Sequence, residues 1–163
     1  MYDFGNLVGA QWVAGAGGSF ETRNPVRPDQ GVGRYAAASP AQVKQAVDAA
    51  ATAQRIWRRR TAVERATAVE HFVTALLGRA EELSQSITLE QGKPLAESRA
   101  EVQKSCIEAR FMIGETLRNH GAAMPSARPG IRNLVTRRPR GVIAAITPWN
   151  FPILTPMRKL VPA

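Results

Sequence analysis

The chain has 163 residues, 44% hydrophobic and 21% charged, which suits about one folded globular domain and excludes a disordered polymer. The net charge is +9, yet Lys and Arg are spread along the chain without interleaved aromatics or zinc-ligand spacing, so no nucleic-acid partner is expected. No apolar run approaches the ~20 residues of a membrane helix, the N-terminus shows no basic-then-apolar leader, and the one cysteine, Cys106, can form no internal disulfide, which fits a reducing cytoplasm.

Leu7-Val8-Gly9-Ala10-Gln11-Trp12-Val13 alternates weakly and reads as a short edge strand. Gly15 to Ser19 is a turn, after which Phe20–Arg23 is expected to return as the second strand of a hairpin. Asn24-Pro25-Val26-Arg27-Pro28 is a loop. Gly31-Val32-Gly33-Arg34-Tyr35-Ala36 carries the letters of the dinucleotide fingerprint, but a proline-rich loop precedes it and no helix opens within it. It reads as a loop-to-strand segment.

Ser39, Pro40 and Gln42 form a capping box with proline at the first helical position. Val43, Ala46, Val47, Ala50 and Trp57 then share one helical face. Thr61 and Glu64 form a second capping box, ahead of the stripe Val69, Phe72, Val73, Leu76, Ala80 and Leu83. Gly78 is expected to separate two helices, the second ending before Gly92. Gln91-Gly92-Lys93-Pro94 invites a phosphate-loop reading, but the upstream glycine is missing and Pro94 replaces the hydroxyl residue, so a helix-to-helix connector is expected. A further helix is predicted from Pro94 to His120, with Val102, Cys106, Ala109, Ile113 and Leu117 inward and Gly121 at its end. Residues 122–132 read as a linker, and Asn133 to Arg138 alternates like a strand.

After the Pro139-Arg140-Gly141 turn, Val142-Ile143-Ala144-Ala145-Ile146 reads as a buried strand, ended by Pro148. Pro148 and Pro152 flank Trp149, Asn150 and Phe151 and stiffen that loop. A carboxamide is thus expected just past the C-terminal end of a strand, where open α/β sheets bind ligands; the alternative is a stiff turn with two packed aromatics. Thr155-Pro156 is expected to cap a last helix through Val161. Cys106 stands on an apolar helical face with nothing nearby to lower its pKa, so a buried structural thiol is expected. His71 and His120 lack ligand partners in the sequence, and no metal site is expected.

Gly141-Val142-Ile143 through Pro148-Trp149-Asn150-Phe151-Pro152, followed by Arg158-Lys159 and Pro162-Ala163, resembles the NAD(P)-dependent aldehyde dehydrogenase superfamily. The Pro-Trp-Asn-Phe-Pro pentapeptide is a highly specific signal in that register. Glu90-Gln91-Gly92-Lys93-Pro94 resembles the family's connector, especially in its succinate-semialdehyde branch. The resemblance implies an α/β fold: the N-terminal part of an aldehyde dehydrogenase, with a hairpin and helices leading into the first strand of a Rossmann-like cofactor domain. It divides the chain into residues 1–122, an oligomerisation-type strand segment 123–141, and the start of the dinucleotide-binding sheet at 142–163.

The activity implied is oxidation of an aldehyde to a carboxylic acid with NAD or NADP. In that chemistry a cysteine thiolate attacks the aldehyde, donors hold the oxyanion, hydride passes to the cofactor, and a carboxylate activates water. Asn150 matches the family's oxyanion asparagine. Ile146, Thr147, Pro148, Trp149 and Asn150 match positions where the family's backbone lies against the cofactor. Arg158 matches an arginine that meets a substrate's distal carboxylate; its alternative is a solvated arginine on a helix. The family's nucleophilic cysteine and glutamate base fall beyond residue 163. The chain is therefore expected to be an N-terminal piece of a longer, cytoplasmic, homo-oligomeric enzyme, inactive alone. The alternative is a non-catalytic truncated product, or an interaction module using the Asn133–Arg138 strand as an exposed edge.

Overall fold

The computed structural model describes residues 2–163. Its first sheet is built on Gly31–Ala36 (β5), which runs parallel to Tyr2–Phe4 (β1) on one edge and antiparallel to Ser19–Arg23 (β4) on the other. The register sets both Phe4 and Phe20 opposite Tyr35. Both rings stack on the tyrosine with centroids 5.5 Å away, the kind of cross-strand pairing that fixes register in a small sheet.

The expected hairpin between Leu7–Val13 and Phe20–Arg23 does not form. Gly9 takes φ +62 and turns the first stretch back on itself, as Asn6–Val8 (β2) against Gln11–Val13 (β3). A two-residue turn with glycine at positive φ suffices for this. Phe20–Arg23 is then free to pair with β5, the segment whose dinucleotide fingerprint was set aside.

Both capping boxes are present. Ser39 and Gln42 start Pro40–Trp57 (α1), and Thr61 and Glu64 start Ala62–Gly78 (α2). Gln42 does a second job: its amide bonds the Ala16 N–H at 2.8 Å and the Ala14 carbonyl at 2.6 Å. It thereby ties the start of α1 to the turn before β4. On the shared face of α1, Ala46, Ala50 and Trp57 are half-buried while Val43 and Val47 stay exposed, and the helix contains no fully buried residue. The caps and alanines favour a helix there, and the strand facing it, β2, covers it only in part.

The chain breaks after Gly78, and Ala80–Gln91 (α3) follows, ending at Gly92 in the left-handed conformation. Leu95–Leu117 (α4) is the central helix and packs against α2, α3 and Leu154–Leu160 (α5). It ends at Leu117 rather than His120, so Gly121 is not its terminator, and Leu117 is exposed. Val73, Cys106, Ala109, Met157 and Val161 form the core where α2, α4 and α5 meet. Against α3 the contact is close because small side chains line it: Ser84 and Ser98 are fully buried. Ser98 and Thr88 share a 2.9 Å hydrogen bond, and Ser84 donates to its own helix at the Ala80 carbonyl, so no buried hydroxyl is left unpaired there.

Two further expectations change. The linker contains a strand, Ala122–Pro125 (β6), which pairs with Arg132–Val135 (β7) in an exposed hairpin. Val142–Ile146 forms no strand and is not buried; Ile146 is 93% exposed. No described strand pairs with it: the sheets are β1-β5-β4, β2-β3 and β6-β7. A single extended run gains nothing from strand geometry without a neighbouring ladder. Among the described residues no helix is long and apolar enough to cross a membrane.

Candidate active-site loop

The geometry around Asn150 begins at Gly92. Its φ of +73 is open to glycine at no steric cost, and a Cβ there would lie 3.0 Å from Pro25 Cγ and Val26 Cγ2. This reversal after α3 lets the residues on either side of Gly92 reach the same loop. Gln91 Nε2 donates to the Trp149 carbonyl, and Lys93 Nζ donates to the Asn150 carbonyl at 2.8 Å. The Lys93 ammonium also stands 4.8 Å over the Phe151 ring, within reach of a cation–π attraction.

Lys93 is held in turn by Glu101 of α4, whose side chain is almost wholly buried. Glu101 Oε2 accepts from Lys93 Nζ at 2.9 Å, while its Oε1 accepts from the Ile153 and Leu154 N–H groups at 2.9 and 3.2 Å. Those two amides open α5, where helical N–H groups lack partners within the helix and a carboxylate is favoured by the helix dipole. The cap expected from Thr155 is therefore supplied from α4. The Thr155 hydroxyl instead donates back to the Phe151 carbonyl at 2.6 Å. From Trp149 to Leu154 the backbone is thus fastened at successive points to α3, α4 and the connector between them.

The Asn150 side chain is left out of this network. It is exposed, and among the described residues its carboxamide makes no hydrogen bond. Trp149 beside it is 83% exposed. A neutral amide offers two N–H donors and does not titrate. Set on a fixed backbone with its own bonds unspent, it can stabilise negative charge that appears on a nearby oxygen. Ile146 and Thr147 likewise have backbone groups without hydrogen bonds among the described residues.

Arg158, on α5, forks onto Glu108 of α4, with Nε–Oε2 at 2.6 Å and Nη2–Oε1 at 2.7 Å. Lys104 lies 3.8 Å from the same carboxylate. Hydrogen bonding from Arg158 is the main cause that holds the Glu108 carboxyl below its ordinary value, with burial opposing and the positive charges of Arg158 and Lys104 assisting. The carboxylate-binding fork is thus engaged within the chain.

Cys106 is 2% exposed, in the core between α2, α4 and α5. Burial pushes its thiol pKa up, which suppresses the thiolate a nucleophile needs. His71 and His120 are exposed, and the described residues contain no cluster of metal-ligating side chains.

Sequence reasoning singled out Asn150 and its proline-braced loop but missed Gln91, Lys93 and Glu101, which fasten it. One signal was available. Glu101 sits on the helical face shared by Ser98, Val102 and Ser105, all buried. A carboxylate on an inward face calls for a buried cation or a set of N–H donors.

The sequence model of the aldehyde dehydrogenase family matches residues 12–163. The 3-sulfolactaldehyde dehydrogenase of Pseudomonas putida is 38% identical over 96% of this chain and 32% of its own length. The NADP(+)-dependent succinate-semialdehyde dehydrogenase of Escherichia coli is 35% identical over 96% of this chain and 33% of its own. Among solved structures, the NADP-dependent glyceraldehyde-3-phosphate dehydrogenase of Bacillus halodurans, complexed with NADP, superposes with a TM-score of 0.93 at 27% identity. That match covers 99% of this chain and 35% of the other. The chain thus spans about a third of the length of the relatives it matches.

Proposed function

We propose, since this chain belongs to the aldehyde dehydrogenase family, that it forms the N-terminal part of an NAD(P)-dependent enzyme that oxidises aldehydes to carboxylic acids. The observation that carries the reading is the Asn150 carboxamide, which makes no hydrogen bond among the described residues, on a loop whose carbonyls at Trp149 and Asn150 are both fastened. Its task is to donate to the aldehyde oxygen as that oxygen gains negative charge under attack by a thiolate. Such a donor acts on the transition state more than on the ground state, which is the condition for raising rate rather than binding. The thiolate and the water-activating carboxylate belong to the remainder of the enzyme, because Cys106 is buried and unactivated.

Ile146, Thr147, Pro148, Trp149 and Asn150 are the residues that would hold the nicotinamide cofactor. Their fit rests on the open backbone at Ile146 and Thr147 and on the exposure of Ile146 and Trp149. The cofactor, when bound, supplies the hydride acceptor. Arg158 would orient a substrate bearing a distal carboxylate, for which a planar guanidinium is suited. The succinate-semialdehyde and 3-sulfolactaldehyde relatives are named for anionic aldehydes, which supports that class here. The β6–β7 hairpin, exposed at every residue, is the surface through which copies of the enzyme would associate.

The test is to express both this chain and the whole reading frame that contains it, and to assay NAD(P)H formation with aldehydes. The whole frame should turn over and the chain alone should not. A frame that closes at the Ala163 codon, or a longer product inert with every aldehyde, contradicts the proposal and favours a truncated product or interaction module.

A further inference from the structure

The connector Gln91-Gly92-Lys93 and the buried Glu101 lie outside the residues assigned to chemistry, yet they converge on the backbone of the Asn150 loop. We propose that the Lys93–Glu101 ion pair is a positioning device that sets the aim of the Asn150 carboxamide. This inference rests on the oxyanion role proposed for Asn150.

The connectivity supports it. Lys93 Nζ bridges two groups, the Glu101 carboxylate at 2.9 Å and the Asn150 carbonyl at 2.8 Å. Glu101 joins Lys93 to the Ile153 and Leu154 amides. One buried carboxylate therefore fixes the loop on both sides of Phe151: through the ammonium on the Asn150 side, and directly at the start of α5. Gln91 holds the preceding carbonyl of Trp149. The peptide carbonyl bonded by Lys93 is that of Asn150 itself, so its rotation would swing the carboxamide attached to the same residue. Thr155 adds one bond to Phe151, but no other side chain holds the Asn150 carbonyl among the described residues.

The arrangement is also costly unless it has a use for its geometry. Lys93 and Glu101 have side chains 15% and 1% exposed. Replacing such a buried pair with apolar groups of similar volume is often neutral or stabilising. The pair's specific property is direction: three N–H donors meet one carboxylate, and the lysine aims at one carbonyl. Preorganised oxyanion donors depend on such fixed direction, because a donor that must reorient during reaction loses most of its effect.

The experiment is a double-mutant cycle in the full-length enzyme, with Lys93→Met and Asn150→Ala made singly and together. Single-turnover acylation is read beside KM and cofactor Kd. Lys93→Met should slow acylation by about ten- to a hundredfold, the usual consequence of a misplaced catalytic group, while KM and cofactor Kd stay within about twofold. In the Asn150→Ala background the same change should cost less than about threefold, since no carboxamide remains to be aimed. Lys93→Arg, which keeps a charged donor, should retain more of the rate than Lys93→Met. Equal losses in both backgrounds, no loss, or a loss shared by KM and cofactor Kd would overturn the positioning role while leaving Asn150 in place. Full activity of Asn150→Ala would instead overturn the oxyanion reading and this inference with it. If Lys93→Met does not fold, Lys93→Gln, which keeps a polar side chain but removes the ammonium that bridges Glu101 and the Asn150 carbonyl, carries the same cycle with the same two outcomes.

Discussion

Arg158 already has a carboxylate partner before any substrate arrives. Glu108 occupies its fork with two short hydrogen bonds, so under the role proposed for Arg158 an ω-carboxylated aldehyde would have to compete for it. Lys104 stands close enough to take the released Glu108. Arg158→Leu should therefore raise KM for ω-carboxylated aldehydes by about ten- to a hundredfold, the worth of a charge-assisted hydrogen bond, and leave neutral aldehydes nearly unchanged. Glu108→Gln should act in the opposite direction, lowering KM for the carboxylated substrates by freeing the fork. Steady-state kinetics on paired substrates checks both; equal effects on the two classes would remove the carboxylate role. At this scale the residues were legible but their partners were not. Arg158 could be singled out from its place after Asn150, whereas Glu108 lies 50 positions away and nothing local links the two. Cys106 was legible in full, because its inward spacing on a helix already implied the burial that raises its pKa.

The elements divide in the same way. Local signals specified the helix starts: Ser39 with Gln42, and Thr61 with Glu64, satisfy N–H groups from neighbours three residues away. Gly78 and Gly92 marked helix ends correctly for the same local reason. Strand pairing depends on distant choices and was misread. Gly9 closes its own hairpin, and Val142–Ile146, apolar as it is, finds no ladder. The α3–α4 packing offers a test of electrostatics between elements. Arg99 of α4 forks onto Glu81 of α3. Its hydrogen bonds, with one from Gln85, lower the Glu81 carboxyl from 4.5 to about 2. A depressed folded-state value means that the contribution of this pair is present above about pH 4.5 and is lost as pH falls toward about 2. Arg99→Gln should move the Glu81 titration, followed by carboxyl NMR, back up toward 4.5, and should flatten the acid-side loss of stability in that window. The pair is surface-exposed, so the effect on stability is small and screened by salt. A Glu81 titration unmoved by the substitution would show that Arg99 is not its cause.

The molecule as a whole combines a covered core with many exposed apolar residues. The core lies where α2, α4 and α5 meet. Ile143, Ile146, Trp149, Leu134 and Val135, by contrast, all present apolar surface to solvent. The backbone of the Asn150 loop is pinned by Gln91, Lys93 and Glu101, while the Trp149 and Asn150 side chains are exposed. That arrangement was readable only in part: proline bracing announced a stiff loop, but the carboxylate that anchors it comes from a helix about fifty residues earlier. A chain spanning about a third of its relatives' length, whose Asn150 amide makes no hydrogen bond among the described residues, would on the proposed reading supply the oxyanion-stabilising part of a larger catalytic site. The most direct test is the single-turnover acylation rate of the full-length enzyme carrying Asn150→Ala, measured beside the Kd of its nicotinamide cofactor. The account predicts a loss of about 10²–10³ in acylation with cofactor affinity near normal. An unchanged acylation rate, or a loss confined to cofactor binding, would contradict it.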